Sequence, residues 1–266
     1  MKAGRRYFIK TAGVTAAVTA HTVSTAGVLP GAPATAQLAD RLEGIEAFAF
    51  DAYGTLFDVF SVTALCEELF PGNGDGLAQL WRAKQLQYSL LRSLMGRHKD
   101  FWEVTEDALV YASKSLRLDL TSVKRDRLMQ AYLTLAAFPD VRPGLEALKR
   151  RGLRLAILSN GEPRMLEEAA KSAGIDTLLD TIISVEELRI FKVSPRVYYL
   201  GLERLQANRA TMGFVSSNSW DINGAASAGL TTFWIQRTPG EPPEELGFGA
   251  SRVVRAISDL APLVRG

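Results

Sequence analysis

A chain of 266 residues, 47% of them hydrophobic, can build one full core with a sizeable insertion, or two small domains. Its net charge of +2 leaves no nucleic-acid footprint: Lys2, Arg5, Arg6 and Lys10 face no acid in the first 36 residues, and taking those four charges from +2 leaves −2 for the rest. A single cysteine, Cys66, excludes an internal disulfide, and His98 as the sole histidine past residue 36 leaves little for a zinc cluster or a Ser-His-Asp or Cys-His site.

In chain order, Gly4-Arg5-Arg6-Tyr7-Phe8-Ile9-Lys10 is a twin-arginine pattern. A Thr-, Ala- and Gly-rich stretch follows at 11–29, then small residues Ala34-Thr35-Ala36 of the kind a signal peptidase reads. The stretch holds His21 and few large apolar residues, so it makes a poor bilayer span. Residues 1–36 therefore read as a signal peptide cleaved near Ala36, with the twin-arginine export machinery as its partner. The mature chain, from Gln37, is expected in the periplasm without stable membrane association.

Residues 45–50, apolar except for Glu46, read as a buried parallel strand, which places Asp51 at its carboxyl end and Gly54 in the turn beyond. The period then turns helical. Ala64, Leu65 and Leu69, then Leu77, Leu80, Trp81, Leu86, Leu90 and Leu94, recur at threes and fours, with a glycine-rich break at 71–76. Further helical stretches are predicted at 101–116 and 123–137, closed by Phe138-Pro139-Asp140 and Pro143-Gly144. His98, in the polar run Gly96-Arg97-His98-Lys99-Asp100, is expected to be solvated, and Cys66 to be a packed apolar residue. Strands are predicted at 153–158, 181–184, 212–215 and 231–235, with helices at 163–173, 195–205 and 222–228 and a surface loop at 238–245. That alternation predicts an α/β fold, a Rossmann-like parallel sheet flanked by helices, with a helical cap inserted in it. The expected division is 37–57 with 140–266 as the α/β core, and 58–139 as the cap.

Every predicted core strand ends in polar residues: Asp51 with Thr55, Ser159-Asn160-Gly161, Lys192 beyond the third strand, and Ser216-Ser217-Asn218 with Asp221. Parallel strands bring such tips to one edge of the sheet. A carboxylate there can attack carbon or phosphorus and form a covalent intermediate. Singly, each residue has a plainer reading. Ser159, Asn160 and Thr55 would serve as helix caps, Lys192 and Arg82 as surface cations, and Tyr198 with Tyr199 as helix packing.

These motifs resemble the haloacid dehalogenase superfamily, and within it the type II (S)-2-haloacid dehalogenases. The likeness is carried by Phe50-Asp51-Ala52-Tyr53-Gly54-Thr55-Leu56-Phe57-Asp58-Val59, Trp81-Arg82 with Gln85-Leu86, Ala156-Ile157-Leu158-Ser159-Asn160-Gly161, and Phe214-Val215-Ser216-Ser217-Asn218-Ser219-Trp220-Asp221. The resemblance implies Asp51 as nucleophile and Arg82 as acceptor of the departing halide. Ser159 and Asn160 would hold a substrate carboxylate, and Lys192 would keep Asp51 charged and in place. Thr55 and Tyr198 would support the site, and Asp221 with Asn218 and Ser216 would direct the hydrolytic water. Ala52, Tyr53, Leu86, Phe101 and Trp220 would line the pocket for a small haloacid. It further implies a homodimer that needs no cofactor or metal.

Phosphatases of the superfamily carry Asp-x-Asp and use Mg²⁺; here Tyr53 stands at the second acid's place, and a halide leaves without needing an acid. A phosphatase, and a binding protein that kept the fold without turnover, are the rival readings. The family pattern has glutamine where this chain has Ala83, a change expected to reshape the pocket. It has proline where this chain has Val193, with consequences for the local turn.

Overall fold

A computed structural model describes residues 44–264. The leader reading of residues 1–36 lies outside them. Strand β1 (Ala47–Phe50) is buried along its whole length, as expected of a strand covered on both faces. Four helices follow before the chain returns to the sheet region: α1 (Thr63–Leu69), α2 (Gly74–Met95), α3 (Phe101–Ser115) and α4 (Ser122–Ala131). Their ends have local causes. Gly96 closes α2 in the left-handed region at φ 63°, Asp100 caps α3 by accepting from the Glu103 N–H, and Thr121 caps α4 through the Lys124 N–H. The remaining elements are α5 (Val141–Arg150), β2 (Arg154–Ser159), α6 (Pro163–Ser172), β3 (Thr181–Ser184), α7 (Pro195–Arg204), β4 (Met212–Ser216), α8 (Ser219–Ser227), β5 (Thr231–Ile235) and β6 (Arg252–Val254).

The six strands form one parallel sheet in the order β3-β2-β1-β4-β5-β6. The central strand β1 pairs with β2 on one side and β4 on the other, Phe50 standing opposite both Ile157 and Val215. The chain winds outward from β1 through β2 to β3, then crosses back to β4. The carboxyl ends of β1, β2 and β4 thus flank the switch point, where open sheets of this kind leave a crevice. Beneath it Phe48 packs edge-on against Phe233 with ring centroids 5.3 Å apart, and Cys66 is fully buried, its thiol pushed up to about 11 by that burial.

The chain leaves the sheet region and returns to it side by side. The Asp58 N–H donates to the Ala136 carbonyl, and the Phe138 N–H to the Leu56 carbonyl. Gly54 turns the chain just before this crossing at φ 92°, a conformation strained for any side chain, and a Cβ there would stand 3.3 Å from Ser217 Oγ.

Several elements differ from the sequence expectation. Pro143 and Gly144 do not break the chain but lie in the first turn of α5, where a missing N–H costs nothing intrahelical. Gly144 is there because Ile257 packs against it; an added Cβ would come within 2.5 Å of that side chain. Helix α8 starts at Ser219 rather than at 222, which puts Asp221 in its first turn. Strand β6, three residues with Val253 exposed, gave no pattern to read. His98 is not solvated. Its side chain is 7% exposed, Nε2 lies 2.9 Å from Glu186 Oε2, and the ring packs on Phe191 at 5.0 Å. Among the described residues no helix is long and apolar enough to cross a membrane.

Candidate active site

Asp51 extends β1 by one residue, its N–H donating to the Val215 carbonyl at 2.9 Å, and its carboxylate is buried. Lys192 Nζ donates to Oδ1 at 2.9 Å; Thr55 Oγ1 and Asn218 Nδ2 donate to Oδ2 at 3.0 and 2.9 Å. Lys192 makes a second ion pair, 2.8 Å from Asp221 Oδ2, and Tyr198 donates its hydroxyl to Asp221 Oδ1 at 2.8 Å. Two carboxylates from β1 and α8 thus share one ammonium, itself 1% exposed.

The electrostatics follow from burial. Desolvation pushes the Asp221 carboxyl up to about 6, against the pull of Lys192 and with a further push from Asp51. Burial by itself would lower the Lys192 ammonium, but Asp221 and Asp51 outweigh it and hold it above its ordinary value. Burial also raises the Tyr198 phenol, so it remains a donor to Asp221.

Thr55 does not cap a helix. Its hydroxyl goes to Asp51 and accepts from the Ser217 N–H at 2.8 Å, while Ser217 Oγ donates to the Gly54 carbonyl at 2.7 Å. Asn218 occupies the N-cap of α8, yet its side chain goes to Asp51 and to the Tyr53 carbonyl instead of the helix. Nor does Asn160 cap α6. Glu162 does so, accepting from Arg164 and Met165, while Asn160 Oδ1 accepts the Lys192 N–H at 2.9 Å and anchors the lysine's backbone. Ser159 and Ser216 stand at the tips of β2 and β4 with hydroxyls turned to backbone N–H groups, of Gly161 and Asn218 respectively. Neither serine is hydrogen-bonded to Asp51.

Arg82 reaches in from α2 and is buried. Nη2 donates to the Tyr53 carbonyl at 3.1 Å and Nη1 to Gln85 Oε1 at 2.7 Å. Desolvation lowers its guanidinium, and Tyr132, Asp51 and Tyr53 counteract that. The Tyr53 ring stacks on Phe101 with centroids 5.5 Å apart and lies 6.2 Å from Tyr132; its buried hydroxyl has no partner, and burial raises its phenol. Ala52 is fully buried and closes the turn by accepting from Leu56 and Phe57. A cavity of about 580 Å³ opens onto Arg82 and Asn218, with Leu86, Trp220 and Arg237 in its wall.

The structure therefore joins Asp51, Thr55, Lys192, Tyr198, Asn218 and Asp221 in one hydrogen-bonded network and links Arg82 to it through the Tyr53 carbonyl. Ala83 is exposed on α2 and lines neither this cavity nor the apolar one beside it. Sequence reading gave no role to Gln85, Ser217 or Arg237. Arg237, from the loop after β5, binds Asp140 at 2.6 Å and the Thr55 carbonyl at 2.7 Å across the chain crossing, and stacks 4.1 Å over Phe138. The loop expected to be plain surface adds Thr238, Glu241 and Glu244 to the cavity wall.

Residues 45–229 match the haloacid dehalogenase-like hydrolase family. An (S)-2-haloacid dehalogenase of Pseudomonas sp. (strain YL) is 47% identical over 206 residues, 77% of this chain and 88% of that one. Haloacetate dehalogenase H-2 of Moraxella sp. (strain B) is 44% identical over 84% of this chain and 99% of its own length. The L-2-haloacid dehalogenase from Xanthobacter autotrophicus with chloropropionic acid covalently bound superposes with a TM-score of 0.78 at 38% identity, covering 82% of this chain and 98% of that one. With a parallel sheet of this order and an aspartate at the tip of its central strand, the chain belongs to the haloacid dehalogenase-like hydrolases.

Proposed function

We propose that the protein hydrolyses small (S)-2-haloacids to (R)-2-hydroxy acids and halide through an ester on Asp51. The observation that carries this reading is the buried Asp51 carboxylate, held by Lys192 at 2.9 Å and joined through Asn218 to a cavity that Arg82 lines. A carboxylate oxygen of Asp51 attacks C2 from the side opposite the halogen. The carbon–halogen bond breaks, the halide leaves with its electron pair toward Arg82, and C2 inverts. Water then attacks the carbonyl carbon of the ester while Asp221 takes its proton; the bond from that carbon to the oxygen on C2 breaks, and this oxygen takes up the proton and leaves as the product hydroxyl. Ser159 and the side-chain N–H groups of Asn160, at the tip of β2, are suited to hold the substrate carboxylate, the first N–H groups of α6 being taken by Glu162.

Tyr53 supports carbon–halogen over phosphate chemistry. Stacked among Phe101 and Tyr132 with its phenol raised by burial, it supplies neither a carboxylic acid for a leaving alkoxide nor an anionic metal ligand. The test is halide release from the purified protein given each enantiomer of 2-chloropropionate, with EDTA present, beside Asp51→Asn. Release from the (S) form alone, insensitive to chelation and lost in the variant, is expected. A folded protein that releases halide from neither form removes the reading, and Mg²⁺-dependent phosphate-ester hydrolysis would install the phosphatase in its place.

Export by the twin-arginine route to the periplasm belongs to the same proposal, on the strength of Arg5-Arg6 and Ala34-Thr35-Ala36. So does a homodimer: Leu90, Leu91, Leu94 and Met95 leave an apolar strip exposed on α2.

A further inference from the structure

We infer that Gln85 is the positioning residue for Arg82, presenting a neutral acceptor that aims the guanidinium while leaving its charge free for an anion. This rests on the function proposed above. Arg82 and Gln85 lie three apart on α2 and so share a face. Gln85 is completely buried, and its Oε1 accepts from Arg82 Nη1 at 2.7 Å.

Proton accounting fixes which end of the amide faces the arginine. Thr105 Oγ1, on α3, donates its one hydrogen to the Phe101 carbonyl at 2.6 Å. Toward Gln85 it can only accept, and Gln85 Nε2 donates to it at 2.7 Å. The amide nitrogen is thereby committed to α3, and the oxygen must face Arg82. Trp81 Nε1, donating to the Thr105 carbonyl at 2.8 Å, clamps the same stretch of α3.

The other acceptor of Arg82, the Tyr53 carbonyl, is also neutral. A guanidinium has five N–H donors, so the two bonds to protein leave others for the cavity it lines. A glutamate at position 85 would have nearly the same shape but would pair with Arg82 and cancel the charge that attracts halide. The relay also starts at the Phe101 carbonyl, and the Phe101 ring stacks on Tyr53, whose own carbonyl is the other acceptor of Arg82.

The test uses the full chain with Gln85→Glu, Gln85→Met and Thr105→Val, each checked for folding by circular dichroism and thermal melting. Bromide binding is titrated calorimetrically, and halide release is timed in single turnovers with 2-chloro- and 2-bromopropionate. Gln85→Glu is expected to weaken bromide binding at least tenfold. Gln85→Met, which keeps the packing and removes the acceptor, is expected to slow release at least tenfold and to raise the bromo-to-chloro rate ratio, since the poorer leaving group depends more on Arg82. Thr105→Val should shift both readouts the same way by less, and it decides the question if either Gln85 variant fails to fold. Folded variants that match wild type in bromide affinity and rate ratio would overturn the inference, leaving Gln85 a helix-packing residue, and so would a wild type that binds no bromide. A wild type that binds bromide yet releases no halide refutes the proposed reaction instead, while the comparison of bromide affinities still decides the role of Gln85.

Discussion

Lys192→Met removes the one ammonium shared by Asp51 and Asp221, at 2.9 and 2.8 Å, from a site where all three side chains are buried. Breaking a buried pair strands the remaining charge and costs about 3–5 kcal/mol. In a domain of this size that lowers Tm by about 6–20 °C, at about 2–4 °C per kcal/mol. The loss should depend on pH in a definite direction. Burial already raises the Asp221 carboxyl to about 6, so the folded state takes up a proton more readily than the unfolded chain. A folded value above the unfolded one means the penalty is present above the folded value and is relieved as pH falls through it. Without Lys192 the carboxyl rises further, so the variant should lose most at pH 8 and recover toward wild type near pH 5. Urea denaturation of both proteins at the two pH values measures this. An equal deficit at both, or one below about 1 kcal/mol at pH 8, would refute the claim that the lysine compensates two buried carboxylates.

Asp221→Asn should release about one halide per site and then stop, and intact mass should show the protein heavier by one carboxyalkyl group, borne by a peptide containing Asp51. The wild type should show the same stall at acid pH, where Asp221 is protonated and cannot take a proton from water. Its midpoint should lie below the free enzyme's value of about 6, because the ester removes the Asp51 charge that pushes Asp221 up; rapid-quench halide measurements against pH would show it. His98→Phe severs the link from Nε2 to Glu186, whose other oxygen holds the Phe101 N–H at 3.2 Å. It should cost about 1–3 kcal/mol in urea denaturation.

What could be read in the sequence was whatever a strand's end announces locally. Asp51 follows an apolar run and precedes Gly54, and the polar tips at Ser159, Lys192 and Ser216 each follow another such run, so their convergence needs only a parallel sheet. Partners decided at long range could not be read. His98 sits in a polar run, and only Glu186 and Phe191, far along the chain, make that position buried. Pro143-Gly144 has the composition of a turn, yet it lies within a helix, and the glycine answers to Ile257, which packs where its side chain would be. Ser159 and Asn160 look like caps by type, yet Glu162 took the helix and freed Asn160 for the Lys192 backbone. Arg237 lies in a stretch that reads as exposed loop, and its partners Asp140 and Thr55 precede it by most of the fold.

The choice of tyrosine after Asp51-Ala52 is a consequence of both packing and charge. Residue 53 uses its backbone carbonyl to accept from Arg82 and Asn218, which turns its side chain the other way, among Phe57, Phe101 and Tyr132. A carboxylate there would be a third buried acid, walled by aromatic rings and without an ion pair to Lys192, whose ammonium is already shared by Asp51 and Asp221. The phenol fills that volume uncharged. The charges that remain, Asp51 and Asp221 against Lys192 and Arg82, cancel, and Arg82, linked to the rest through a neutral carbonyl, is the cation with capacity left for an anion. A site so balanced suits a leaving group that departs as an anion without a proton, and a phosphate ester would find neither acid nor counter-ion at the place where its chemistry needs them.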